Sequence, residues 1–211
     1  MALLTPMKTT ARPALLIVDV QNDFCRDGAL EVPDGDLIIP TLNRLISSYS
    51  RLGDSIFISR DWHPVDSKHF VEYGGIWPTH CIAGTYGAEF HRDLELPPNA
   101  IIVSKGQSRL SDGYSAFDGH TSGGKLFQNE LDNRAIRRLY VAGLATDYCV
   151  RHSVLDALRT GLSVNLVTDA IAGVDRHPGD VERALSEMVE AGAQNTTTAE
   201  LEIEIAQINC Q

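Results

Sequence analysis

Five short apolar runs rich in β-branched residues recur along the chain and are its strongest structural signal. They cover residues 14–20, 55–59, 100–104, 139–144 and 163–168. None of them alternates regularly between apolar and polar positions. Strands that read as continuous apolar runs are typical of parallel sheets buried on both faces, and we expect five such strands here.

Helical patterns lie between several of these runs. The clearest has a single apolar stripe and should stop near Gly192; its members are Val181, Ala184, Leu185, Met188 and Val189. Residues 37–51 and 150–159 repeat this spacing, with Pro40 in a first turn and Gly161 just past an end. A weaker pattern after Thr196 favours a terminal helix. Strand and helix in alternation predict a three-layer α/β fold, a doubly wound, mainly parallel sheet with helices on both faces.

Two long segments interrupt this rhythm. Residues 60–99 and 106–124 are rich in Gly, Pro, His and aromatic residues, a composition typical of functional loops. Open parallel sheets bind ligands outside the carboxyl ends of their strands. The residues that directly follow each predicted strand are therefore the first candidates for a functional site.

Composition and charge narrow the class of protein. The chain has 211 residues, of which 43% are hydrophobic, and we expect one domain over residues 1–211, folding alone or as a homo-oligomer. A net charge of −10 disfavours nucleic acid and anionic membranes as partners. Residues 1–12 lack an apolar stretch of signal-peptide length, and no later run approaches the roughly 18 apolar residues of a membrane span. We therefore expect a cytoplasmic protein.

Two charged residues stand at predicted strand ends. Asp19 closes the first apolar run, where a buried carboxylate is costly unless it is paired or catalytic. The alternative is that it caps the following loop. Lys105 follows the third run and would bring an ammonium to the same edge, unless it is simply solvated.

Cys149 follows the fourth run, where a helix is predicted to begin. Peptide dipoles at a helix start and a neighbouring lysine both lower a thiol pKa, so this cysteine is a candidate thiolate nucleophile. The alternative for any cysteine is a small core residue, and this is our interpretation of Cys25, Cys81 and Cys210. The four cysteines are far apart, without a CxxC pair, and we expect free thiols.

The loop after the second run carries Asp61, His63, His69 and His80. A carboxylate with imidazoles suits a divalent transition metal such as Zn, Fe or Mn. Asp61 and His63 are two positions apart and can point the same way in extended backbone, with His80 closing the set. The alternative is a polar surface loop. The remaining histidines have no ligand-like neighbours, and we expect them at the surface: His91, His120, His152 and His177.

Three motifs carry a family resemblance: IVDVQNDF at 17–24, WPTHC at 77–81 and GLATDYCV at 143–150. With Lys105 in register, the chain resembles the nicotinamidase/pyrazinamidase branch of the isochorismatase-like cysteine hydrolases over most of its length. The resemblance implies the isochorismatase-like fold, with a metal-binding loop region at about 60–99. The family often has a second proline where Thr79 stands, a loop position that can vary without changing coordination.

The resemblance also implies roles for individual residues. Asp19, Lys105 and Cys149 match the family's catalytic triad. Its metal ligands fall on Asp61, His63 and His80, whereas His69 is a fourth ligand, a donor to a ligand or a surface residue. The implied ring-binding aromatics are Phe24 and Trp77. A cis peptide is implied between Leu144 and Ala145, with an oxyanion hole made by the main-chain N–H groups of Ala145 and Cys149.

The implied activity is hydrolysis of nicotinamide to nicotinate and ammonia, and of pyrazinamide to pyrazinoate, through a cysteine thioester in NAD salvage. One divalent metal, Zn, Fe or Mn, would hold the pyridine nitrogen. One alternative is an amidase of the same superfamily acting on a carbamoyl or ureido compound, or an isochorismatase-type hydrolase. Another is a non-catalytic, metal-dependent ligand-binding protein.

Overall fold

A single seven-stranded sheet organises the protein in the computed structural model, which describes residues 13–208. The expectations for residues 1–12 and for Cys210 lie outside this range. The strands are β1 (Pro13–Val18), β2 (Ser55–Asp61), β3 (Ile101–Lys105), β4 (His120–Thr121), β5 (Arg138–Leu144), β6 (Ser163–Ala172) and β7 (Gln194–Thr196). Their order is β4-β3-β2-β1-β5-β6-β7, and every pairing is parallel except β3 with β4.

Five α-helices flank the sheet: α1 (Ile39–Leu52), α2 (Phe127–Asn133), α3 (Arg151–Arg159), α4 (Asp180–Glu190) and α5 (Thr198–Ile208). The five expected strands and helices α1, α3, α4 and α5 are confirmed, including Pro40 in the first turn of α1. Sequence periodicity missed β4, α2 and β7, since two to seven residues are too few to establish a period. Within residues 13–208, no helix combines the length and apolar character needed to cross a membrane.

Both faces of the sheet are covered, which explains the continuous apolar runs. In β1, Leu15 and Ile17 enter one core with α1, whereas Leu16 and Val18 enter the other with α2 and α3. Successive side chains of a strand point to opposite faces, so a strand between two helix layers needs apolar residues throughout. The predicted doubly wound α/β fold is confirmed.

The topology determines where a site can form. After β1, the chain adds β2, β3 and β4 on one side and then β5, β6 and β7 on the other. The order reverses between β1 and β5, and ligands of open α/β sheets bind at such a reversal. Asp19 follows β1, Asp61 ends β2, and Lys105 ends β3. A wide helical turn, Thr146–Val150, follows β5 and completes the same edge.

Candidate active site

Lys105 stands at the centre of the predicted triad. Its Nζ lies 2.8 Å from Asp19 Oδ2 and donates a hydrogen bond to Cys149 Sγ at 3.3 Å. It also contacts Asp61 Oδ1 at 2.5 Å. All four side chains are buried. The structure thus brings together an acid, an ammonium and a sulfur from the ends of three strands, with a second carboxylate beside them.

Asp19 is held in place by the neighbouring strand. It leaves β1 in a left-handed conformation (φ 49°), and Ser59 Oγ donates a hydrogen bond to Asp19 Oδ1 at 2.7 Å. Burial raises the pKa of Asp19 to about 6, although Lys105 opposes the rise. At neutral pH this carboxylate is mostly ionised yet is basic enough to accept a proton, as a general base requires.

Cys149 lies inside the wide turn rather than at a helix start. The turn begins at Thr146, and both Tyr148 N and Val150 N donate to Ala145 O at 3.1 Å. The expected lowering of the Cys149 pKa is wrong: burial raises the pKa of this thiol well above its ordinary value, and the opposing effect of Lys105 is smaller. The resting side chain of Cys149 is therefore a thiol. The expected cis peptide joins Leu144 and Ala145.

Asp61 is shared between the triad and a group of histidines. Its Oδ1 faces Lys105, while its Oδ2 lies 3.5 Å from His63 Nε2 and 3.9 Å from His80 Nε2. Gln21 fixes its main chain, donating to Asp61 O and accepting from Asp61 N, both at 2.8 Å. Burial acts to raise the pKa of Asp61, but the Lys105 ammonium holds it well below its usual range. This carboxylate stays ionised.

The three histidines of the loop converge with their Nδ1 atoms already engaged. His63 Nδ1 donates to Gly106 O at 3.1 Å, His69 Nδ1 to Asp112 Oδ1 at 2.8 Å, and His80 Nδ1 to Pro78 O at 2.7 Å. Carbonyl and carboxylate oxygens only accept, so each Nδ1 carries its proton and each Nε2 keeps a free lone pair. Ligand atoms of the three rings lie within 4.8 Å of one another.

This donor set fits a divalent transition metal. His63 Nε2 is buried and has no hydrogen-bond partner among the described residues. Burial lowers the pKa of His80 to about 4 and also lowers that of His69, which keeps both rings neutral, as metal ligands must be. His69 is only 3% exposed, so the structure excludes its interpretation as a surface residue. Zn, Fe and Mn all suit three imidazoles with a carboxylate.

A narrow cleft leads to these groups. It encloses about 300 Å³ of empty space, counting its open mouth, and its lining includes Cys149, Asp61, His69 and His80. Phe24 and Trp77 line it as expected, together with residues that sequence reasoning missed: Leu30, Tyr114, Tyr148 and Val174. Tyr114 and Tyr148 lie in the 106–124 loop and in the 143–150 motif, but nothing in the sequence showed that their side chains face the cleft, and no sequence signal marked Leu30 or Val174. The size and apolar walls suit a small ring.

Tyr114 and Tyr148 support the indole of Trp77. Trp77 Nε1 donates to Tyr114 Oη at 2.8 Å, and the Tyr148 ring meets the indole edge-on at a centroid distance of 4.7 Å. Tyr114 also stacks on His152, with ring centroids 5.0 Å apart and ring planes 19° from parallel. His152 is half-buried, so its expected surface position is wrong, because the 106–124 loop covers it.

The other histidines and cysteines match expectation more closely. His120 and His177 are exposed, and His91 is partly exposed. Cys25 and Cys81 are buried free thiols within the core. Among the described cysteines, only Cys149 contacts Lys105. Cys149 is therefore the one candidate nucleophile among the described cysteines.

The geometry groups a thiol, an acid and an ammonium beside a metal-type donor set, an arrangement typical of a cysteine hydrolase, and the sequence comparison agrees. The isochorismatase domain family matches residues 13–200, and the chain belongs to this family. The nicotinamidase of Escherichia coli (strain K12) is 40% identical over 208 residues, covering 90% of this chain and 96% of that protein. The nicotinamidase/pyrazinamidase of Mycobacterium tuberculosis is 38% identical, covering 76% of this chain and 87% of the relative.

A solved structure shares the fold at similar identity. The pyrazinamidase of Pyrococcus horikoshii, determined in complex with zinc, superimposes with a TM-score of 0.81 and 43% identity, covering 88% of this chain and 98% of the other. A more distant relative, N-carbamoylsarcosine amidase from Arthrobacter, is 26% identical, and the match covers 81% of this chain and 62% of that amidase. The predicted family and the isochorismatase-like fold are confirmed.

Proposed function

We propose that this protein hydrolyses nicotinamide to nicotinate and ammonia, and pyrazinamide to pyrazinoate, with the nicotinate entering NAD salvage. One observation carries the proposal: the Lys105 ammonium contacts both Asp19 and Cys149 at the base of a small apolar cleft. The nicotinamidase and pyrazinamidase relatives, at 38–43% identity, support the same substrate class.

The first chemical step forms a thioester. Because Cys149 rests as a thiol, its proton must leave as the sulfur attacks, and Asp19 is the acceptor beside it. Lys105 stabilises the negative charge as it passes between Asp19 and the sulfur of Cys149. Sγ bonds to the carboxamide carbon, and the carbonyl oxygen becomes an oxyanion that the main-chain N–H groups of Ala145 and Cys149 receive. The C–N bond then breaks as Asp19 returns the proton to the leaving ammonia.

The second step restores the enzyme. Asp19, again a carboxylate, takes a proton from water, whose oxygen attacks the thioester carbon. The C–S bond breaks, the acid product forms, and the proton held by Asp19 returns to the sulfur. Lys105 contacts both Asp19 and Cys149, so one ammonium is placed to compensate charge in both half-reactions.

Substrate position comes from the walls of the cleft. Phe24 and Trp77 offer flat apolar surfaces to an aromatic ring, and Tyr114 restrains the indole through its hydrogen bond. Asp61, His63, His80 and His69 would hold a divalent metal. When bound, that metal supplies an electron-pair acceptor for a ring nitrogen, which orients the carboxamide toward Cys149.

The rival activities lack such support. A ureido or carbamoyl amidase needs no acceptor for a ring nitrogen, yet three buried histidines converge with free Nε2 lone pairs at this cleft. A non-catalytic ligand-binding protein would not need Asp19, Lys105 and Cys149 in mutual contact.

Ammonia release from a substrate panel tests the proposal. Purified protein is given nicotinamide, pyrazinamide and N-carbamoylsarcosine, and the variants Cys149→Ala and Cys25→Ala are compared. Cys25 is a matched control, since it is also a buried free thiol. We expect hydrolysis of the two ring amides, lost in Cys149→Ala and kept in Cys25→Ala. Turnover of the ureido compound alone, or full activity in Cys149→Ala, would refute the proposal.

A further inference from the structure

The three histidines differ in what holds their Nδ1 atoms. His63 and His80 donate to main-chain carbonyls, those of Gly106 and Pro78. His69 donates to a side-chain carboxylate, Asp112 Oδ1, at 2.8 Å. The His69 side chain is 3% exposed, whereas that of Asp112 is 58% exposed. One ring of the set is therefore oriented by a charged group that reaches in from the surface.

The backbone that carries Asp112 packs against Gly106, whose carbonyl accepts the hydrogen bond from His63. Gly113, the next residue, has φ 64°, and a Cβ there would lie 2.4 Å from Gly106 Cα. Gly106 has φ 66°, and a Cβ there would lie 2.4 Å from His63 Cε1. Only glycine fits such close approach at positive φ. The loop therefore delivers Asp112 from a backbone position fixed relative to His63.

The same loop is tied to the segment that carries His69. Lys68 N, one residue before His69, donates to Arg109 O at 2.9 Å. Arg109 Nε in turn donates to Asp66 O at 3.2 Å and lies 3.1 Å from Asp66 Oδ2. These contacts hold the two loops together just before His69 in one loop and Asp112 in the other, so the pairing is built into the fold.

We propose that Asp112 is a positioning residue that fixes the tautomer and orientation of His69 and thereby raises the affinity of the four-residue set for a divalent metal. A carboxylate acceptor keeps the proton on Nδ1, directs the Nε2 lone pair at the metal and makes the ring a stronger donor. The inference rests on the proposed function only in taking His69 as a ligand together with Asp61, His63 and His80.

Removing the carboxylate should weaken metal binding without unfolding the protein. Loss of such a partner typically lowers metal affinity by about 10- to 100-fold. Asp112→Ala should show this loss, and Asp112→Asn should be intermediate, since its amide oxygen still accepts a hydrogen bond but carries no charge. Asp118→Ala is the matched control, because Asp118 is an exposed carboxylate of the same loop outside the histidine set.

The test titrates Zn²⁺ alone into metal-stripped protein against a chromophoric chelator. We expect wild-type and Asp118→Ala to bind equally, with Asp112→Ala about 10- to 100-fold weaker. Nitrogen-15 NMR of the metal-stripped protein should show His69 protonated on Nδ1 in wild-type and a mixture of the two neutral tautomers in Asp112→Ala. Thermal melting of the stripped proteins should be unchanged, because the Asp112 side chain is mostly exposed.

The outcomes separate this inference from the amidase proposal. Equal zinc affinity in wild-type and Asp112→Ala would overturn the role of Asp112, whether or not the protein hydrolyses nicotinamide. Failure of wild-type itself to bind zinc would also overturn it. Weaker zinc binding in Asp112→Ala alone, in a protein that releases no ammonia from any ring amide, would reject the proposed function and leave the Asp112 inference standing.

Discussion

The buried ammonium of Lys105 offers the most direct test of how this site is held together. It contacts the carboxylates of both Asp19 and Asp61, and all three side chains are almost inaccessible to solvent. Lys105→Met keeps an unbranched side chain of similar length but removes the charge. The change leaves two buried carboxylates side by side without a compensating cation. Breaking a buried ion pair from one side costs about 3 to 5 kcal/mol.

Urea unfolding measures that cost. With a denaturant slope of about 2 kcal/mol/M, a loss of 3 to 5 kcal/mol lowers the unfolding midpoint by about 1.5 to 2.5 M. Lys125→Met is the control, since Lys125 is exposed and its contact with Glu130, at 3.6 Å, should contribute less than about 1 kcal/mol. We also expect Lys105→Met to release no ammonia from nicotinamide. A midpoint shift no larger than that of Lys125→Met would refute the reasoning.

Four further predictions concern single contacts. Asp19→Asn should lower kcat for ammonia release by about 10²-fold or more, and mass spectrometry should detect no thioester; rapid adduct formation would contradict this. Tyr114→Phe removes the hydrogen bond to Trp77, worth about 0.5 to 1.5 kcal/mol, so KM should rise by about 2- to 10-fold with kcat little changed. His63→Ala should lose metal by elemental analysis; full occupancy would exclude His63 as a ligand. Gly106→Ala would place a Cβ 2.4 Å from His63 Cε1 and should lower both zinc affinity and thermal stability.

The convergence of the triad was predictable because it follows from topology. Asp19, Lys105 and Cys149 lie at or within a few residues of the carboxyl ends of β1, β3 and β5, and parallel strands end at one edge of a sheet. Their contact therefore required only the correct strand assignment. The histidines were predictable by residue type and spacing, since His63, His69 and His80 lie in one loop.

Properties that depend on solvent exclusion were not predictable in this way. The sequence indicated a lowered pKa for Cys149, but burial by surrounding segments outweighs Lys105 and raises it. Whether a thiol is buried depends on all the residues that pack around it, here including Ala145 and the other residues that line the cleft. Likewise, His152 lies under Tyr114 because of how the 106–124 loop closes, and a loop without periodicity gives no sign of its path.

Three short elements, β4, β7 and α2, were also not predicted from the sequence. Strand β4 has two residues, β7 has three and α2 has seven, so a periodic pattern cannot be distinguished from chance in any of them. Their positions depend on hydrogen bonds to neighbours that are already in place, such as β3 for β4. Local sequence does not encode that dependence.

The double engagement of Asp61 limits how this site could diverge during evolution. One carboxylate neutralises Lys105 with one oxygen and faces His63 and His80 with the other. A descendant that bound no metal could dispense with the imidazoles one at a time, but it would still need Asp61 opposite the buried ammonium whenever Asp19, the other carboxylate in contact with Lys105, takes up a proton. We expect inherited variation to erode the histidines first and to spare the aspartate.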